Sequence, residues 1–118
     1  MEEHIRVMVV RPGKQPKMEL LENELKPLQE AVGGYLEWIG LGEDAILLCD
    51  EEGKMKGLEP NRHIGNDIVC GTFLICGVDG ENFASLTKEQ EEEYGERFSQ
   101  PEDFSFREIT GLSMFSME

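Results

Sequence analysis

The sequence predicts an α+β domain, a mostly antiparallel sheet of four to six strands covered on one face by two helices. Three observations carry the prediction. Apolar stretches of strand length recur along the chain, two segments carry helix start and stop signals, and Gly, Pro and Asn turn formers separate them. A small barrel-like sheet with peripheral helices is the alternative architecture. At 118 residues the chain is the size of one domain and buries roughly two-thirds of its unfolded surface on folding. The domain is placed at residues 1–99, with a C-terminal tail over residues 100–118.

His4 to Val10 alternates as a strand does, with Ile5, Val7 and Val9 on one side, and Arg11-Pro12-Gly13 stops it. Pro16 to Leu21 offers a second strand. Asn23 or Glu24 then caps a helix over residues 24–32 whose core face is Leu25, Leu28 and Val32. Pro27 is tolerated only in the first turn, where an amide hydrogen has no intrahelical acceptor, and Gly33-Gly34 ends the helix. Tyr35 to Leu41 and Asp44 to Asp50 form a meander, and Glu51 to Lys54 is a solvated turn.

Leu58 to Asp67 reads as a polar loop. Ile68 to Val78 reads as one central strand, apolar on both faces except at Thr72, with Gly71 and Gly77 marking a bulge or a close approach. Thr87-Lys88-Glu89-Gln90 has the form of a capping box and opens a helix over residues 88–98. The tail holds Phe104, Phe106, Leu112, Met114 and Phe115, too much apolar surface for a solvated linker, so it is expected to dock.

Acids number 25 against 11 bases, a net charge of −14. Such a field repels phosphate backbones and anionic membranes, so a protein partner is favoured over nucleic acid. Residues 79–118 carry 11 of the acids against three bases. The start, Met1-Glu2-Glu3-His4, has no basic and apolar leader pattern and no apolar run approaches about 20 residues, so a cytoplasmic location is expected. Cys49, Cys70 and Cys76 follow no Cys-x-x-Cys spacing and read as small buried hydrophobes. Cys70 and Cys76, six apart, would share a face of a regular strand.

Catalytic templates find no match. There is no Gly-x-Ser-x-Gly elbow and no Gly-Lys-Ser/Thr phosphate loop, and His4 and His63 lie far apart without ligand spacing, so no metal or cofactor is expected. Asp50, Glu51 and Glu52 read as a turn rather than an acid/base pair. Two candidate surfaces remain. The first is a ligand or partner loop around Asn61, Arg62 and His63 with Tyr35; its ordinary reading is a capped turn with a solvated histidine. The second is an acidic face of Glu89, Glu92, Glu93 and Glu96; its ordinary reading is a solvated helix surface, and its functional reading is imitation of nucleic-acid phosphates.

Several stretches taken in order carry a resemblance. They are the opening strand with Pro12-Gly13-Lys14, Leu28 to Glu37 with its Val32-Gly33-Gly34-Tyr35 core, Glu52-Gly53-Lys54, Gly57-Leu58, Pro60-Asn61-Arg62, Gly71-Thr72 and Ser85-Leu86-Thr87. Over about residues 4–98 the chain resembles a family of uncharacterised proteins from bacteria, phages and mobile elements, the domain of unknown function DUF3846. The resemblance implies a phage or mobile-element setting and assigns no activity to any residue. The sequence thus favours a non-enzymatic interaction protein that inhibits a host nucleic-acid-binding or defence protein by acidic mimicry. The alternative is a small-ligand binding domain built on Asn61 and Arg62.

Overall fold

The computed structural model describes residues 2–105 and 108. The central strands are β1 (His4–Val10) and β7 (Phe73–Asp79), and the residues Val7 to Val10 and Phe73 to Gly77 are buried without a break. A strand that buries consecutive residues has both faces covered. Flanking them are β2 (Lys17–Glu22), β4 (Ala45–Asp50) and β3 (Leu36–Gly40), in the spatial order β2-β1-β7-β4-β3. All pairings are antiparallel, with Met8 opposite Met18 and Ile75, and Leu47 opposite Ile39 and Ile75. A short sixth strand, β8 (Asn82–Ala84), pairs with the end of β7 past the stretch that pairs with β1. This strand had no clear signal in the sequence.

The two helices lie on opposite faces of the sheet, which corrects the expectation that one face takes both. Helix α1 (Leu25–Val32) sets Leu28 and Val32 against Val7, Val9, Leu48, Leu74 and Cys76. Helix α2 (Lys88–Arg97) and the residue after it set Tyr94 and Phe98 against Met8, Val10, Leu47, Phe73 and Ile75. Neighbouring strand residues point to opposite faces, so the unbroken apolar runs of β1 and β7 require cover on both sides. Each large aliphatic side chain buried this way contributes roughly 1.5 to 3 kcal/mol.

Helix α1 starts at Leu25 with Pro27 in its first turn, and Glu24 caps it without a side-chain bond. Asn23 is committed elsewhere, donating to the carbonyls of Glu2 and Phe83. Gly33, at φ +89°, ends the helix and donates to the Gln29 carbonyl at 2.8 Å. The predicted capping box opens α2: Thr87 Oγ1 accepts from the Gln90 amide, and the Gln90 side chain accepts from the Thr87 amide.

Two other expectations are corrected. The segment read as a polar loop forms β5 (Pro60–Ile64), which pairs with β6 (Asp67–Cys70) in a separate two-stranded sheet turned at Gly65, φ +60°. The single strand expected over Ile68 to Val78 breaks at Gly71. There φ is +85° and a β-carbon would stand 2.7 Å from Leu58 Cδ1. Cys70 and Cys76 therefore belong to different sheets, although all three cysteines are buried thiols. Gly77 is a close approach, since its β-carbon would fall 2.7 Å from the Ser85 carbonyl oxygen.

Candidate functional site

The acidic face is built by the periodicity of α2. Glu89, Glu92, Glu93 and Glu96 occupy positions i, i+3, i+4 and i+7, an arc of about 100° on a helix of 3.6 residues per turn. All four side chains are exposed, while Tyr94 and Phe98 on the far side are buried in the core. Glu91 leaves the stripe and accepts a two-pronged bond from Arg6 at 3.0 and 3.1 Å. The helix is anchored at its start by the capping box and by Gln90 Nε2, which donates to the Asp44 carbonyl at 3.1 Å. The four carboxylates thus ride on a fixed helix and present negative charge outward.

The residues of the other candidate surface are not gathered into a site. Asn61 and Arg62 are both 0% exposed. Asn61 Nδ2 donates to the carbonyls of Val10 and Gly71 at 2.9 and 2.8 Å. The Arg62 guanidinium donates to Asn61 Oδ1 at 2.8 Å and to the carbonyls of Lys14 and Phe98 at 2.7 and 2.9 Å. Its Nε has no partner among the described residues. Burial lowers the Arg62 pKa, and the Glu102 carboxylate opposes that shift. Tyr35 is exposed beside α1 in a shallow cleft with Lys26 and Gln29. The polar pair reads as a buried staple, since its terminal nitrogens are spent on backbone carbonyls and on the Asn61 side-chain oxygen.

His63, next along β5, faces outward to the start of the tail. Its Nδ1 lies 2.6 Å from Glu102 Oε1 and its Nε2 lies 2.8 Å from Glu108 Oε1, while its ring stacks on Phe104 with centroids 5.0 Å apart. Bonds to the two carboxylates raise its pKa above the ordinary histidine value. Phe106, Leu112, Met114 and Phe115, named for tail docking, lie outside the described residues.

Sequence reasoning missed two features of the 51–57 turn. Asp50 is not solvated; its carboxylate is buried, accepting from Lys56 Nζ at 2.7 Å and from the Glu52 amide at 2.9 Å. Lys56 also donates to the Gly33 carbonyl, so the turn is tied to the end of α1. Beyond the turn, Glu37, Cys49, Lys54, Ile68 and Cys70 line a cavity of about 390 Å³. Burial and the neighbouring Glu37 push the Cys49 thiol up to about 12, so it is a weak nucleophile. Among the described residues no group of three or more His, Cys, Asp or Glu is arranged to hold a metal ion.

Residues 5–99 match the family model described as Domain of unknown function (DUF3846). The chain belongs to this family. No curated protein and no solved structure matches the chain. In this DUF3846 domain the glycines of the Val32-Gly33-Gly34-Tyr35 stretch have structural duties. Gly33 takes the left-handed conformation, and a β-carbon on Gly34 would stand 2.6 to 2.7 Å from the Asp50 carboxylate atoms. The matched Pro60-Asn61-Arg62 stretch supplies the buried staple. Both faces of the sheet and α2 lie within the match, and the tail after residue 99 lies outside it. No described helix is long and apolar enough to cross a membrane.

Proposed function

We propose that this DUF3846 domain is a non-enzymatic interaction module whose α2 face binds a basic surface on another protein. The supporting observation is the exposed arc of Glu89, Glu92, Glu93 and Glu96 on a helix fixed by its cap and by the burial of Tyr94 and Phe98. Clustered carboxylates on a rigid element steer and orient a basic partner. A net charge of −14 reinforces the same polarity. The partner we propose is a nucleic-acid-binding or defence protein of a bacterial host, inhibited because the carboxylates occupy its phosphate-binding cleft in the setting of a phage or mobile element.

The small-ligand alternative built on Asn61 and Arg62 loses its physical basis, because both side chains are inside the domain and bonded there. Affinity capture from bacterial lysate tests the proposal. The wild-type chain retains a basic nucleic-acid-binding protein, and a chain with Glu89, Glu92, Glu93 and Glu96 all changed to Lys does not. Equal retention by both chains, with the variant folded, rules out this face.

A further inference from the structure

Helix α2 carries a glycine in its last turn, Gly95, that the packing of the domain does not require. A β-carbon on Gly95 would meet only Met8 Cε, at 3.7 Å, an ordinary contact, and Gly95 does not take a positive φ. A glycine within a helix still loses more backbone freedom on ordering than alanine. What the missing side chain keeps open is a groove of about 310 Å³ between α2 and the β1–β2 connection. Met8, Pro16, Met18 and Gly95 give it an apolar lining, and Glu91, held by Arg6, lies at its edge. Thioether side chains adapt to the shape of what enters. One step further round α2 stand the exposed Glu92 and Glu96.

We infer that this groove receives one leucine-sized aliphatic side chain from a basic protein segment whose flanking lysines or arginines meet Glu92 and Glu96. The inference rests on the acidic-face reading and adds what that reading lacks, a means of choosing among basic partners. Charge alone accepts any cationic surface, whereas a groove beside it selects a segment that places an apolar group between its charges. At about 310 Å³ the groove has room for such a side chain.

Two synthetic peptides, Lys-Lys-Leu-Lys-Lys and Lys-Lys-Gly-Lys-Lys, test the inference by isotope-edited NMR titration of the full chain. The leucine peptide should bind about tenfold more tightly and shift the methyl signals of Met8 and Met18, since burying one aliphatic side chain accounts for that factor. Gly95→Leu should remove the preference by filling the groove. Gln15→Trp, on the exposed opposite bank, should do the same without touching the core. Equal binding of the two peptides overturns the groove while leaving the acidic face standing. If the four-Lys chain binds both peptides as wild type does, the acidic-face reading fails as well. Sedimentation showing that Gly95→Leu converts a dimer to a monomer assigns the groove to a second copy and overturns the basic segment.

Discussion

The Arg62 guanidinium donates to the carbonyl of Phe98 at 2.9 Å, tying the β5–β6 hairpin to the residue that caps α2. The same group reaches the Lys14 carbonyl, and through Asn61 the network extends to Val10 and Gly71. The position of the acidic helix therefore depends on a staple buried beneath it.

Arg62→Ala should cost roughly 3 kcal/mol, because the buried carbonyl of Phe98, the part-buried carbonyl of Lys14 and the Asn61 side chain lose their donors together. Arg62→Lys should recover little, since an ammonium cannot reproduce the planar fork. Urea denaturation measures both. A loss under about 1 kcal/mol in the alanine variant would show that the staple does not hold the hairpin to α2.

Gly34→Ala should be more damaging than Gly33→Ala. At Gly33 the cost is the left-handed backbone, about 1 kcal/mol. At Gly34 the new methyl meets a buried carboxylate fixed by the half-exposed Lys56 and by the Glu52 amide, so relief requires breaking both bonds. Thermal melts of the two variants rank them, and the reverse order would mean that Asp50 moves aside freely.

Thr87→Ala should lower stability by about 1 kcal/mol through loss of the acceptor for the Gln90 amide. An unchanged urea midpoint would show that the reciprocal Gln90 bond suffices alone.

His63 should titrate above its ordinary value of 6.5, because both ring nitrogens face carboxylates and both donate only in the imidazolium form. A raised pKa means stabilisation that is complete below the unfolded value and lost as pH rises through the folded one. Glu108 is lowered, first by the Ser105 amide and then by His63, so its share fades as pH falls through its folded value. The clasp between β5 and the tail therefore holds between those limits. NMR titration of the His63 ring should show the raised midpoint, and Glu102→Gln with Glu108→Gln should bring it back; a wild-type midpoint at or below 6.5 contradicts the clasp.

Much of the fold was legible where the signal is local. The alternation in β1, the Pro27 limit on α1, the Gly33 stop and the Thr87 box are each set by residues within one turn or one strand. What failed was non-local. Asn61-Arg62-His63 looks like solvated polarity, and only the carbonyls of Val10, Lys14, Gly71 and Phe98, brought from four places in the chain, make Asn61 and Arg62 interior residues. The break at Gly71 depends on Leu58, and the burial of Asp50 on Lys56. The doubly apolar run predicted a central strand, but over Ile68 to Val78 and with helix on one face; the strand that forms is Phe73–Asp79 and both its faces are covered. Of the site, the acidic arc follows from helical spacing alone, whereas the groove at Gly95 needed the neighbouring β1–β2 connection.

The most direct test of the acidic face is the affinity of the captured basic partner for this domain, measured across a salt series and again with competing duplex DNA. The carboxylate face predicts that binding weakens by roughly tenfold between about 50 and 200 mM salt, that DNA displaces the domain, and that the four-Lys variant does not bind at any salt. Affinity that is the same at low and high salt, unmoved by DNA and retained by the four-Lys variant, would contradict the account.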